Sequence, residues 1–308
     1  MSAASSTEAR RGAVWTRGYP VLLFVLTAAV VAVEAALVEP GHLIEAQIAD
    51  ALLVLVIVNH GLRDSSRLPR HAAAAVMALR ALALVPLIRV ISLGLPLGEL
   101  SDAAAVLLIA VASIVAVVVI APAIDVRRTS FIALPLTSSA LLAAAAGLPL
   151  GLIAYFAGAE VLWARGAEPP AIAMALGAVA CGAIAEELIF RGAIQLTFER
   201  VAGAAGSLVA TALFSATYVG GGSVALVLSY ALAGLVFANS VSRTGALGGA
   251  ILGHVLLALS AGALWPVLLG RTPAADLVGV PATVLWATIV LAAALSVAAN
   301  QRGDERQP

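Results

Sequence analysis

The chain has 308 residues, of which 62% are hydrophobic and 11% charged, with a mean hydropathy of +1.07. A soluble domain carries about 25% charged residues, so this composition excludes an ordinary soluble enzyme and equally a disordered chain. The 17 basic residues, all arginine, balance 17 acidic ones, so charge gives no reason to expect a nucleic-acid partner.

The first 18 residues carry Arg10, Arg11 and Arg17 and form a cytoplasmic segment. The apolar stretch from Tyr19 to Val38 is longer than the roughly 7–15 residues of a cleaved signal, so it is expected to remain as the first transmembrane helix. A spanning helix needs about 20 mainly apolar residues, and about ten segments qualify. They are 19–38, 46–62, 71–93, 103–124, 131–159, 169–197, 203–218, 222–241, 245–269 and 281–299. The expected fold is an all-α polytopic transmembrane bundle. Two segments are expected to be kinked, re-entrant or partly interfacial: 71–93, with Arg80, Pro86 and Arg89, and 131–159, with Pro135, Gly147, Pro149 and Gly151.

Arginines cluster in alternate loops: at 10, 11 and 17, at 63, 67 and 70, at 127 and 128, then at 200, 243, 302 and 306. The loops between hold Glu39, Glu45, Glu99 and Asp102, with Arg165 and Arg271 as their only bases. By the positive-inside rule this places both termini in the cytoplasm after ten crossings, in what is expected to be a bacterial plasma membrane. No internal repeat is evident, which weakens a reading as an inverted-repeat transporter. The expected organisation is N-terminal helices over 19–129, a membrane core over 130–270, a C-terminal helix over 271–300 and a polar tail over 301–308. Cys181 is the sole cysteine, which leaves no disulfide partner; it reads as a packing residue.

Ionisable groups inside membrane segments are costly unless paired or hydrated, so each is a candidate site. Glu34 and Asp50, near helix ends, are expected to reach the interface. His60 reads as part of an interfacial cluster, and Arg80 and Arg89 as facing a cavity, pairing with distant acids or marking an interface. The densest cluster is Glu186-Glu187-Leu188-Ile189-Phe190-Arg191. Glu187 and Arg191 share a face at i, i+4 and can pair, whereas Glu186 is turned by about 100° and is left free for chemistry as a general base. His254 is the one histidine well inside a segment. From the cytoplasmic ends of their helices, Glu186 lies about 17 Å deep, His254 about 14 Å and Tyr218 about 22 Å, so a common cavity is expected.

At these residues the chain resembles the CAAX prenyl protease and bacteriocin-processing family of intramembrane proteases. Its motif Glu-Glu-x-x-x-Arg is met in full by Glu186, Glu187 and Arg191. Its Phe-x-x-x-His motif is met by Phe214 but ends in Tyr218, and its third motif, a His followed four residues later by Asn or Asp, is met by His254 but ends in Ala258. The resemblance covers about residues 130–270. It implies that Glu186 activates a water against a peptide carbonyl, supported by Glu187 and Arg191. It also implies that the second-motif histidine assists, and that the third-motif histidine and asparagine stabilise the oxyanion. Tyr218 can donate a hydrogen bond to an oxyanion but cannot accept a proton near neutrality, and as a poor zinc ligand it leaves a zinc site short of donors. The implied partners are membrane lipid and a peptide or membrane-protein substrate. A non-catalytic pseudoprotease and a transporter built on the same Glu/Arg cluster are the alternatives.

Overall fold

The computed structural model describes residues 3–37, 42–94, 101–125, 137–162, 169–219 and 223–270. The expected helix at 281–299, the polar tail, and the loop residues Glu99, Arg127, Arg128, Arg165 and Arg271 lie outside them. All regular structure among the described residues is helical. In chain order the helices are α1 (Ala3–Leu37), α2 (Leu43–Gly61), α3 (Arg70–Leu82), α4 (Leu84–Gly94), α5 (Asp102–Ile120) and α6 (Ser138–Phe156). They continue as α7 (Pro169–Glu187), α8 (Leu196–Ala202), α9 (Ala205–Ala216), α10 (Val224–Thr244), α11 (Gly248–Leu259) and α12 (Trp265–Leu268). π-Helical turns, Leu188–Gln195 and Ser260–Leu264, join α7 to α8 and α11 to α12. Among the described residues, eight helical stretches are long and apolar enough to cross a membrane. The chain is an integral membrane protein.

Local sequence explains most boundaries. Ser101, Thr137 and Ser223 accept the backbone N–H three residues on, the usual N-cap bond. α10 ends at Gly245, whose φ of +66° a side chain would strain. The expected kink in 71–93 falls at Ala83, between α3 and α4. Pro86 cannot donate to the Leu82 carbonyl, and its ring crowds it, so the first helix stops there. The described part of segment 131–159 holds the helix α6, with Pro149 inside it. Segment 203–218 was expected to be a full crossing, but α9 has only 12 residues, about 18 Å at 1.5 Å per residue. Its end leaves Tyr218 in a turn rather than in a helix.

Two groups of helices meet across the site. In the first, α1, α2, α3 and α4 pack on one another, and α3 also lies against α8. In the second, α9, α10 and α11 pack on α7 and its π-helical extension, α6 packs on α10 and α11, and α5 lies along α7. The crossing of α6 and α11 is close because Gly147 faces the Gly253 carbonyl and leaves no room for a Cβ.

Two expectations about charged residues are corrected. Glu34 and Asp50 do not reach an interface: they are 1% and 0% exposed. Glu34 pairs with Arg89, whose Nη2 lies 2.6 Å from Oε2. The Asp50 carboxyl is enclosed without a hydrogen-bond partner. Both acids sit on the inward faces of α1 and α2. Of the options for the two arginines, Arg89 takes the distant acid. Arg80 instead donates to the carbonyls of Gly61 (2.6 Å), Arg63 (2.8 Å) and Ala123 (2.5 Å), satisfying acceptors that helix ends leave open.

Candidate active site

α7 delivers two adjacent carboxylates, and the 100° step between them sends them to different surroundings. Glu187 is completely buried, while the Glu186 side chain is 33% exposed. Arg191, also completely buried, brings Nη1 to 3.3 Å from Glu187 Oε1. None of its guanidinium nitrogens has hydrogen-bond geometry. The attraction is therefore one of charge rather than of a bidentate fork. It is supplemented by a cation–π contact, with the guanidinium carbon 4.2 Å from the centre of the Phe214 ring. Gly234 makes the space: a Cβ there would lie 3.1 Å from Arg191 Nη2 and 2.8 Å from Thr211 Cγ2.

His254, on α11 and 2% exposed, joins the two carboxylates. Its Nδ1 lies 2.9 Å from Glu187 Oε1 and its Nε2 lies 3.5 Å from Glu186 Oε2. The first contact fixes the ring, and the second aims its other nitrogen at Glu186. Tyr218 donates from its hydroxyl to Glu186 Oε2 at 2.8 Å. That hydroxyl has one proton, so here it is committed to Glu186 rather than free for an oxyanion. Ala258, one turn beyond His254, supplies no donor.

The structure thus brings together all five residues singled out in the sequence: Glu186, Glu187, Arg191, Tyr218 and His254. Glu186 is free of Arg191, as its angle on the helix requires, yet Tyr218 and His254 hold it. Sequence reasoning missed the aromatic frame. Tyr230 stacks on Tyr218, centroids 3.7 Å apart and planes at 11°. Phe237 stacks on His254 at 5.8 Å and 27°, and Phe214 meets His254 edge-on at 5.4 Å. A signal existed, because Tyr230 and Phe237 are spaced i, i+7 and therefore share one face of α10.

Glu186 and Tyr218 open onto a cavity of about 270 Å³. Its far wall comes from helices outside the cluster: Glu34 of α1, Arg89 of α4 and Ser113 of α5 line it. The Glu34–Arg89 pair is bidentate, with Nε to Oε1 at 3.2 Å and Nη2 to Oε2 at 2.6 Å. Cys181, on α7, is a free, half-buried thiol.

Among the described residues no three His, Cys, Asp or Glu side chains are placed to hold a metal. His254 Nδ1 is turned to a carboxylate, and the second-motif position carries a phenol. The donor set does not fit zinc.

A model of the type II CAAX prenyl endopeptidase Rce1-like family matches residues 168–260, which contain all five side chains. No curated protein and no solved structure matches the chain. Residues 168–260 are thus similar to the Rce1-like CAAX prenyl endopeptidase family.

Proposed function

We propose that the chain is an intramembrane endopeptidase that hydrolyses peptide or membrane-protein substrates, with Glu186 as the general base. The observation that carries this reading is the position of Glu186: half-open to a cavity, and held by Tyr218 and His254 rather than neutralised by Arg191. In the reaction, Glu186 takes a proton from a water whose oxygen attacks the peptide carbonyl carbon. The carbonyl π pair moves onto oxygen, giving a tetrahedral oxyanion. Collapse restores C=O and breaks the C–N bond, and the proton on Glu186 passes to the leaving nitrogen. One water is consumed per bond cut. Glu187, charge-paired with Arg191, holds the His254 ring from behind. Such base catalysis is worth about 10²–10⁴-fold.

The test is cleavage of an internally quenched library of apolar peptides by the full chain in liposomes. Glu186→Gln should abolish it, because an amide accepts no proton; undiminished cleavage by that variant rejects the reading. The arginines at 10, 11, 17, 63, 67 and 70 support a cytoplasmic N-terminus. Single cysteines at positions 127 and 99 should label from the inside and the outside, respectively.

A non-catalytic relative is the second reading, favoured by the phenol on Glu186 Oε2 and by Ala258. Tyr218→His with Ala258→Asn rebuilds the family pattern. Cleavage found only in that double variant favours this reading.

A further inference from the structure

An oxyanion mechanism needs donors aimed at the carbonyl oxygen as it gains charge. The positions that the family resemblance assigns to this task do not supply them here. Ala258 has no donor, and the Tyr218 proton is spent on Glu186. His254 is 2% exposed, and both of its nitrogens face carboxylates. The hydroxyls lining the cavity are spent as well. Ser92 donates to Arg89 O at 2.9 Å, Ser113 to Ile109 O at 2.7 Å and Thr217 to Phe214 O at 2.7 Å. An oxyanion formed against Glu186 would have nothing to meet from these groups.

One lining residue keeps donors in hand. A guanidinium has five N–H groups, and Arg89 gives two of them, from Nε and Nη2, to Glu34. The other three, including both on Nη1, have no partner among the described residues. The side chain is 23% exposed and lines the same cavity as Glu186 and Tyr218. At about 270 Å³ that cavity is small, below the roughly 300–1,000 Å³ common for ligand pockets, so groups on facing walls can meet one peptide unit. Glu34 holds the guanidinium by its Nε–Nη2 edge and leaves Nη1 without a hydrogen-bond partner among the described residues, a fixed donor of the kind this chemistry requires.

We infer that Arg89, from the N-terminal helices outside the family-matched segment, is the oxyanion-binding residue of this site. It donates through Nη1 to the substrate carbonyl oxygen while Glu186 delivers water to the carbon. Glu34 is its positioning residue. The active site is then shared between the two groups of helices, and the unmatched N-terminal half contributes a catalytic group. This inference rests on the peptidase reading.

The experiment measures binding of a matched pair of probes to the full chain in liposomes. Both are apolar peptides; one carries a phosphinate in place of a single amide, the other keeps the amide. The phosphinate mimics the tetrahedral anion. The wild type should bind it at least about tenfold more tightly than the amide. Arg89→Lys keeps a charge for Glu34 but has no Nη1. It should bind the two probes alike, retain the parent melting temperature, and show kcat lowered about 10²–10³-fold with KM unchanged. Should Arg89→Lys not fold, Arg89→Met with Glu34→Gln removes both charges together and should show the same loss of preference. A wild-type preference that survives loss of the guanidinium overturns the role of Arg89 and leaves the peptidase reading standing. A wild type with no preference overturns the peptidase reading, and the inference with it.

Discussion

Two ion pairs border the same chemistry, and they are built in opposite ways. Glu187 and Arg191 lie one helical turn apart, both fully buried, in charge contact at 3.3 Å without hydrogen-bond geometry. Glu34 and Arg89 lie 55 positions apart on different helices, joined by two hydrogen bonds beside a cavity, with the arginine 23% exposed. The first faces the back of His254, the second faces the space where a substrate would sit. A buried charge pair without a full set of hydrogen bonds recovers its desolvation cost poorly. Its evident structural consequence is to hold His254 against Glu187. The second pair combines better geometry with access to the cavity, which suits a group that must act on a ligand.

The largest expected effect breaks the first pair. Arg191→Ala leaves Glu187 buried and uncompensated, and should lower stability in detergent by about 3–5 kcal/mol. Glu187→Gln with Arg191→Met removes both charges and should recover at least half of that loss. Equal stability for the parent and Arg191→Ala, by chemical denaturation, would show that the first pair is hydrated. Breaking the second pair should cost less. Arg89→Ala leaves Glu34 beside a cavity roomy enough for water, which can hydrate the carboxylate, so about 1–3 kcal/mol is expected. If Arg89→Ala proves the more destabilising of the two, the contrast between back wall and cavity wall is wrong.

The same contrast explains what could be read in advance. Glu187–Arg191 follows from helical spacing alone, and the 100° offset of Glu186 follows with it. The meeting of Tyr218, Glu186 and His254 was legible because depth along each helix is a matter of counting residues. Glu34–Arg89 was not legible. Several acids and two arginines within the apolar segments were available, and no local rule pairs groups on helices so far apart in the chain. Depth misled at Glu34 and Asp50: nearness to a helix end says nothing about which way a side chain faces, and both face inward. The π-helical turn after Glu187 escaped because Leu188–Gln195 has ordinary helix-forming composition. Among the described residues eight of the expected spans are long enough to cross a membrane, and α9, whose apolar run continues past the point where the helix stops, is not.

Crowding at Gly234 sharpens the comparison further. A Cβ there meets side-chain atoms only, 3.1 Å from Arg191 Nη2 and 2.8 Å from Thr211 Cγ2. Gly234→Ala should therefore cost about 1–3 kcal/mol by overpacking and should displace the guanidinium from the Phe214 ring. The check is a thermal melt of Gly234→Ala beside Gly234→Ala in the Arg191→Met, Glu187→Gln background. A smaller penalty in that background ties the glycine to the arginine; an unchanged penalty assigns it to Thr211.

The smallest expected effect on stability belongs to Tyr218→Phe, and it decides between two roles for the hydroxyl. The ring keeps its stack on Tyr230 in the variant, so only the 2.8 Å bond to Glu186 is lost. A lost bond of this kind costs about 0.5–1.5 kcal/mol, or somewhat more if the acceptor is charged. Cleavage discriminates more sharply. If the hydroxyl were itself the oxyanion donor, its removal should lower kcat by about 10²–10³-fold. If it only orients Glu186, while Arg89 binds the oxyanion, a loss nearer tenfold is expected, because His254 still lies 3.5 Å from the same carboxylate oxygen. A Tyr218→Phe enzyme that loses the full 10²–10³-fold, alongside an unaffected Arg89→Lys enzyme, would move the oxyanion site from the N-terminal helices back to the turn after α9.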